Sequence, residues 1–129
     1  MLDSILVVDD DEVNNFIIEE LFREEGFAEK VYIKSSVDEG LKFIEEIEEK
    51  PELIILDINM PVKDGFDFLD EYYERKFDRF PSQIILLTSS LFEKDKSLAA
   101  RYDKVVNFII KPLDVDSFQE VISQLRSRA

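Results

Sequence analysis

The chain contains no cysteine and no histidine, and these two absences exclude several kinds of chemistry. Without cysteine there can be no disulfide bond, no thiolate metal ligand and no cysteine nucleophile, which suits a reducing compartment. Without histidine, most zinc sites and every histidine-based catalytic triad are excluded. A catalytic or metal site in this chain must therefore be built from carboxylate, amide, hydroxyl and ammonium groups.

Long hydrophobic runs and positive charge are also scarce. No stretch approaches the roughly 20 apolar residues that span a bilayer, and the N-terminus lacks the pattern of a signal peptide. The 129 residues include 30 acidic and 16 basic ones, which gives a formal net charge of −14. Nucleic acid and anionic membrane surfaces would be repelled by this charge. We expect one cytoplasmic domain over residues 1–129 that binds neither of them directly.

Four short apolar runs rich in isoleucine, leucine and valine each end abruptly in a polar residue. They occupy residues 5–8, 53–56, 84–87 and 108–110. Such runs are typical of parallel strands that are covered by helices on both faces. The residues that follow them are Asp9 and Asp10, Asp57, Thr88 and Lys111. Because the carboxyl ends of parallel strands share one edge, we expect these side chains to converge in one crevice.

Amphipathic segments lie between the apolar runs and predict five helices. They cover residues 13–25, 36–47, 66–73, 91–102 and 114–125, with Ser36 and Asp114 as N-caps and Gly26 as a helix stop. Residues 31–33 predict a further short strand. Five alternating strands and helices indicate an α/β fold with a doubly wound five-stranded parallel sheet, and the flavodoxin-like strand order 2-1-3-4-5 is the expected one.

Three carboxylates in one crevice would repel one another strongly. Each pair costs roughly 4 kcal/mol at about 4 Å and an effective dielectric constant of about 20. Lys111 supplies one compensating charge, and a divalent cation with oxygen ligands is the best candidate for another. Mg²⁺ fits best, because it keeps some of its waters and acts together with phosphate oxygens. A carboxylate that faces a metal, a hydroxyl and an ammonium group is equipped to accept a phosphoryl group, and Asp57 stands alone at its strand end.

The motifs that carry this chemistry resemble those of one known family. They are ILVVDD ending at Asp10, LDINMP with Asp57, the Lys63-Asp64-Gly65 run, LLTSS with Thr88, and Ile110-Lys111-Pro112. In order and spacing they resemble the receiver domains of two-component response regulators, over essentially the whole chain. The resemblance implies that the chain is a stand-alone receiver domain.

The resemblance also implies a role for each matching residue. Asp57 would be the phosphoacceptor, and Asp10 and Asp57 would bind Mg²⁺ directly. Asp9 would act on the ion mainly through water, and the backbone carbonyl of Asn59 would complete the metal shell. Thr88 would be a switch residue, and Lys111 would pair with the phosphoryl group ahead of a peptide bond to Pro112 that is often cis. Phe108 would be a second switch residue.

The expected function is therefore a phosphorylation switch and not an enzyme that acts on other substrates. The phosphoryl donor would be a sensor histidine kinase or a histidine phosphotransfer protein. The signal would leave through the face formed by the fourth helix, fifth strand and fifth helix, and it would act on a downstream protein because the chain ends soon after its last helix. A homodimer formed on phosphorylation is compatible with the resemblance.

Two other functions fit part of the pattern. The string from Asp9 to Val13 matches the signature of a haloacid dehalogenase type hydrolase, with Asp9 as nucleophile and Asp11 as general acid. This alternative leaves Asp57 without a role and lacks a later acidic motif. The other alternative is an interaction module that is never phosphorylated, against which the complete set of acceptor, metal, hydroxyl and lysine residues argues.

Overall fold

The computed structural model describes residues 2–89, 92–111 and 114–128, with side chains described as far as residue 125. The strands are β1 Leu2–Val8, β2 Ala28–Lys34, β3 Leu53–Asp57, β4 Gln83–Thr88 and β5 Val105–Ile110. The helices are α1 Glu12–Glu25, α2 Val37–Glu46, α3 Gly65–Glu74, α4 Glu93–Ala99 and α5 Val115–Arg128, and a short 3-10 turn covers Phe77–Arg79. Among the residues described, no helix combines the length and the apolar character of a membrane span.

All strands of the sheet are parallel, and their order is β2-β1-β3-β4-β5. The predicted fold class and strand order are both confirmed. The order reverses at β1, since the chain moves outward to β2 on one side and then crosses to β3 on the other. In open α/β sheets such a point leaves a crevice at the carboxyl ends of the strands.

The apolar runs are continuous because both faces of the sheet are buried. On one face Leu6, Leu56 and Leu86 pack with side chains of α2 and α3, among them Phe68. On the other face alternate residues of the same strands pack against α1 and α5, where Phe22 and Phe118 meet edge to face at 4.7 Å between ring centroids. This double burial makes the central strands rigid supports for the residues that follow them.

Helix ends near the strand tips are fixed by capping bonds. The side chain of Asp11 accepts hydrogen bonds from the backbone N–H groups of Val13 and Asn14, both at 3.1 Å, and so begins α1. Gly26 ends α1 in the left-handed conformation, with φ of 64°. The predicted cap at Asp114 is confirmed, because its Oδ1 accepts from the backbone N–H of Ser117 at 2.8 Å.

Element boundaries differ from the predictions at several places. β1, β2 and β5 begin three residues earlier than expected, and α5 continues to Arg128. Leu2 pairs with Ala28 and so extends the ladder between β1 and β2 backward. The early part of β2 contains exposed Glu29 and Lys30 at the edge of the sheet, so its sequence does not form an apolar run. α4 covers only Glu93–Ala99 of the predicted residues 91–102, and position 91 lies outside the described residues.

Candidate functional site

The strand ends that were predicted to share one edge do lie together. Backbone hydrogen bonds continue the sheet just past the strands, since the N–H of Asp9 donates to the carbonyl of Lys34 at 3.0 Å. The N–H of Lys111 likewise donates to the carbonyl of Thr88 at 2.7 Å. These bonds fix the backbone from which the polar side chains project into a common crevice.

Three carboxylates meet in this crevice. Asp9, Asp10 and Asp57 each offer an oxygen, and these oxygens all lie within 4.8 Å of one another. Asp9 and Asp57 are buried, whereas Asp10 is exposed at the mouth. Carboxylate oxygens at such separations are the donor set that hard divalent cations prefer. The predicted acidic cluster is therefore present, with one member open to solvent.

Lys111 is the cation that faces the carboxylates. Its Nζ lies 3.1 Å from Oδ2 of Asp9, 3.6 Å from Oδ2 of Asp57 and 3.9 Å from Oδ2 of Asp11. Burial lowers the pKa of Lys111, but the hydrogen bond that Lys111 donates to Asp9 and the surrounding carboxylate charges outweigh it and hold the pKa above its ordinary value. A single ammonium group thus serves several carboxylates, and the cluster keeps a net negative charge.

The pKa of Asp57 is raised by its position in this arrangement. Burial raises the pKa of Asp57, the charge of Asp9 raises it further, and Lys111 opposes them, with the result that the pKa is about 7. Its Oδ1 also accepts a hydrogen bond from the backbone N–H of Asn59 at 3.2 Å. Lys111 does not offset burial and the Asp9 charge together, so a further positive charge at the site would be bound favourably.

Thr88 and Asn59 contact each other next to Asp57. Thr88 is completely buried at the end of β4, and its hydroxyl oxygen accepts a hydrogen bond from Nδ2 of Asn59 at 3.4 Å. Asn59 itself is exposed. Asn59 therefore links the Thr88 hydroxyl to the Asp57 carboxylate, through its side-chain amide and its backbone N–H.

Two buried asparagines of α1, neither of them predicted as a site residue, hold Asp9. Nδ2 of Asn14 donates to Oδ2 of Asp9 at 2.8 Å, and Nδ2 of Asn15 donates to the backbone carbonyl of Asp9 at 2.8 Å. Their signal in the sequence is weak, since two polar residues in an acidic amphipathic helix are expected to face solvent. The available clue was a pair of adjacent asparagines in the first turn of the helix that follows the acidic strand end.

The loop between β3 and α3 is tied down at both ends. Nζ of Lys63 contacts Oδ1 of Asp38 at 2.9 Å and Oε2 of Glu71 at 3.1 Å, and so joins the loop to α2 and α3. The N–H of Gly65 donates to the carbonyl of Ile58 at 2.9 Å. These contacts fix the segment that contains Asn59 and give the Lys63-Asp64-Gly65 motif a structural role.

The remaining predicted site features have no direct test in the structure. Phe108 is half-buried and packs against the core on the side of α2, α3 and α4, so its switch role stays a prediction. The metal role of the Asn59 carbonyl also stays a prediction. The peptide bond to Pro112 lies outside the described residues.

The contacts of Asp11 differ from those expected for the general acid of the hydrolase hypothesis. Its Oδ1 accepts the two backbone N–H groups of the first turn of α1, and its Oδ2 lies 3.9 Å from Nζ of Lys111. These contacts are those of a helix N-cap, which is the role that the structure shows for Asp11.

A family model described as the response regulator receiver domain matches residues 5–123. This match includes every residue of the crevice. It gives no support to the hydrolase hypothesis.

Individual relatives agree with this match. Protein-glutamate methylesterase/protein-glutamine glutaminase 1 of Methanospirillum hungatei is 30% identical over 128 residues, which cover 96% of this chain and 35% of that protein. Chemotaxis protein CheY of Halobacterium salinarum is 28% identical over 126 residues, which cover 97% of this chain and 98% of that one. The crystal structure of a two component response regulator from Cytophaga hutchinsonii has a TM-score of 0.86 and 26% identity, with 98% of each chain covered.

Proposed function

The chain belongs to the response regulator receiver domain family, and we therefore propose that Asp57 accepts a phosphoryl group from a phosphohistidine donor in a Mg²⁺-dependent reaction. The observation that supports this most directly is the position of Asp57. It is buried at the end of a central strand, 3.6 Å from the Lys111 ammonium group and beside two further carboxylates. The site combines a nucleophile, a cation and an acidic metal-binding set.

The transfer requires one bond to form and one to break. An oxygen of the ionised Asp57 carboxylate attacks phosphorus, the bond between phosphorus and the histidine nitrogen breaks, and the electron pair remains on that nitrogen. Lys111 is close enough to turn from the carboxylates toward the phosphoryl oxygens, and the Thr88 hydroxyl is linked to Asp57 through Asn59. Phosphoryl transfer needs little from a protein beyond such positioning and neutralisation of charge.

The donor set fits Mg²⁺ because it offers only oxygen ligands and an exposed carboxylate that can keep bound water. We propose that Asp10 and Asp57 bind the ion directly, that Asp9 acts through bound water, and that the Asn59 carbonyl completes the protein ligands. When bound, the ion would neutralise charge on the acidic cluster and on the incoming phosphoryl oxygens.

Phosphorylation would be transmitted through Thr88 and Phe108. A phosphoryl group adds about −1.5 to −2 charges at neutral pH, and a coupling of about 1 to 3 kcal/mol between distant surfaces is enough for regulation. β4 and β5 are paired, with Leu86 opposite Phe108 and Thr88 opposite Ile110. The neighbouring surface exposes Phe92 and Ile110, which suits an apolar contact with a downstream protein on the α4, β5 and α5 face.

Removal of the acceptor carboxylate tests the function. With a small phosphodonor and Mg²⁺, we expect the native chain to gain one phosphoryl group and Asp57→Asn to gain none, as measured by intact-protein mass spectrometry. Asp3→Asn is the matched control, because Asp3 is exposed near the opposite end of β1. Labelling of Asp57→Asn at the native level would reject Asp57 as the acceptor.

A protein donor must also contact the rim of the crevice, and α1 offers an apolar surface there. Val13, Phe16 and Ile17 are exposed in the first turns of α1, directly after Asp11. We expect Phe16→Ala to lower kcat/KM for transfer from a phosphohistidine protein by about tenfold, because burying an aromatic side chain is worth about 1.5 to 3 kcal/mol. The rate with a small phosphodonor should not change.

Phe92→Ala is the matched control for this contact. Phe92 is 64% exposed and Phe16 is 65% exposed, but Phe92 lies at the start of α4. Its replacement should leave transfer from the phosphohistidine protein unchanged. Equal losses in the two variants would contradict a donor surface on α1.

A further inference from the structure

Asn14 is a buried amide in direct contact with the site. It lies in the first turn of α1, is 6% exposed, and donates from Nδ2 to Oδ2 of Asp9 at 2.8 Å. Its backbone N–H is already bonded to the Asp11 cap. The side chain is therefore not needed to begin the helix, and its contact with Asp9 calls for another explanation.

The Asp9 carboxylate has donors on both oxygens. Oδ1 accepts the backbone N–H of Asp11 at 3.0 Å, and Oδ2 accepts Nδ2 of Asn14 at 2.8 Å. Because Asp9 is completely buried, these bonds also replace the water that an ionised carboxylate would otherwise bind. Donors on both oxygens fix the plane of the carboxylate.

The same Oδ2 also contacts Lys111, whose Nζ is 3.1 Å away. Asn14 and Lys111 thus share one oxygen, and the distance from Nζ to Asp57 Oδ2 is longer, at 3.6 Å. If the Asn14 amide were removed, Oδ2 of Asp9 would lose a donor and would attract the Lys111 ammonium group more strongly. Lys111 would then be drawn toward Asp9 and away from Asp57.

We propose that Asn14 is a positioning residue, which satisfies Oδ2 of Asp9 with a neutral donor and so allows Lys111 to reach a phosphoryl group on Asp57. This inference rests on the proposed function, since it concerns the approach of Lys111 to the transferred group. Asn14 touches neither the donor nor Asp57 and acts through Asp9 and Lys111.

The neighbouring asparagine provides a matched control. Asn15 is 7% exposed and also donates from Nδ2 at 2.8 Å, but its acceptor is the backbone carbonyl of Asp9. Replacing either residue by leucine removes one buried amide of the same size from the same turn. Loss of stability should be similar in the two variants, whereas only Asn14→Leu should misdirect Lys111.

A double-mutant cycle with Lys111→Met tests the proposal. In the native background, we expect Asn14→Leu to lower the maximal rate of phosphorylation by a small phosphodonor at saturating Mg²⁺ on the order of tenfold. In the Lys111→Met background the same change should lower the rate by less than about twofold, because residues that act as one unit are not additive. Asn15→Leu should have equal effects in both backgrounds. Equal losses for Asn14→Leu in the two backgrounds, or no loss in the native background, would overturn the proposal.

A second measurement is made without metal or phosphodonor. In ¹H–¹⁵N spectra, the side-chain amide signals of Asn14 should shift in Lys111→Met, because both groups share Oδ2 of Asp9, while those of Asn15 should move less. Unchanged Asn14 signals, or equal shifts for both residues, would overturn the proposal.

The spectroscopic test does not change Asn14, so it remains decisive if Asn14→Leu does not fold. In that case Asn14→Ala replaces Asn14→Leu in the double-mutant cycle. Absence of phosphate on the native chain would reject the proposed function alone, since the spectra test the shared contact independently. Normal phosphorylation of both Asn14 variants would reject the positioning role alone.

Discussion

Asp57→Asn is expected to raise the free energy of unfolding of the metal-free protein by a few kcal/mol at pH 8, and to have little effect near pH 4. The pKa of Asp57 is about 7 in the folded chain against an ordinary value of 3.8. Between these values the unfolded chain releases the proton while the folded chain retains it, so the native protein loses stability as pH rises toward 7. Each unit of difference corresponds to about 1.4 kcal/mol. Asparagine cannot ionise and escapes this loss.

Chemical denaturation of both proteins at several pH values measures the effect. The difference between native chain and variant should grow as pH rises from about 4 to about 7 and then level off, because Asp57 is then ionised in both states. Mg²⁺ at pH 8 should stabilise the native chain and have a much smaller effect on Asp57→Asn, since a ligand stabilises the state that binds it. Asp3→Asn should show neither effect. An Asp57→Asn variant no more stable than the native chain at pH 8 would contradict the uncompensated charge inferred for the site.

The buried negative charge at the end of β3 connects the proposed function with the stability of the fold. A site that receives a phosphoryl group and a cation must hold excess negative charge before they bind, and burial at the carboxyl end of β3 makes that charge costly. Phe22, Phe118 and the double-sided core supply the stability that offsets it. Asp57 is therefore held in a stable fold although its charge is not fully compensated, which favours binding of a cation at the site.

The strand ends and the acidic cluster were predictable because they follow directly from strong local patterns. An apolar run that ends in Asp57 or in Lys111 marks the end of a buried strand, and parallel strands bring such ends to one edge. The length of the edge strand β2 was underestimated, because exposed Glu29 and Lys30 interrupt its apolar pattern. Edge strands bury less surface, so the sequence constrains them less.

The supports of the site were not predictable in the same way. Asn14 and Asn15 can be buried because they donate hydrogen bonds to the carboxylate and the backbone carbonyl of Asp9. The helical periodicity of the sequence does not reveal these partners. The contact of Lys63 with Asp38, which lies 25 residues earlier in the chain, joins the loop before α3 to α2. Long-range polar contacts of this kind depend on tertiary geometry, which a periodic pattern does not specify.

Gly65 is a position where tertiary packing, which the sequence pattern does not reveal, leaves no room for a side chain. A Cβ atom at Gly65 would lie 2.8 Å from the backbone oxygen of Asp57 and 2.9 Å from the Cα of Ile58. Both atoms belong to the backbone at the end of β3, so neither can move aside as a flexible side chain could. Gly65→Ala must therefore push the start of α3 away from the acceptor strand.

The other two glycines of the chain give a graded comparison. At Gly26 the φ of 64° disfavours alanine, but no atom lies within 4 Å of the added Cβ. At Gly40 the nearest atom is Cγ2 of Val8 at 2.9 Å, which belongs to a side chain. We expect Gly26→Ala to cost about 1 kcal/mol, and Gly40→Ala to cost about 1 to 3 kcal/mol, as overpacking usually does.

Gly65→Ala is expected to cost about 3 kcal/mol or more, because here the overpacking displaces backbone and breaks the hydrogen bond from the Gly65 N–H to the Ile58 carbonyl. It should also weaken Mg²⁺ binding, since the added Cβ presses on the backbone of Asp57 and Ile58 beside the proposed metal ligands, whereas Gly26→Ala should bind the ion normally. Denaturant unfolding and calorimetric Mg²⁺ titration of the three variants measure both effects. If Gly65→Ala unfolded at the same denaturant concentration as Gly26→Ala and bound Mg²⁺ with native affinity, the close approach of α3 to β3 would not be what holds the acceptor in place.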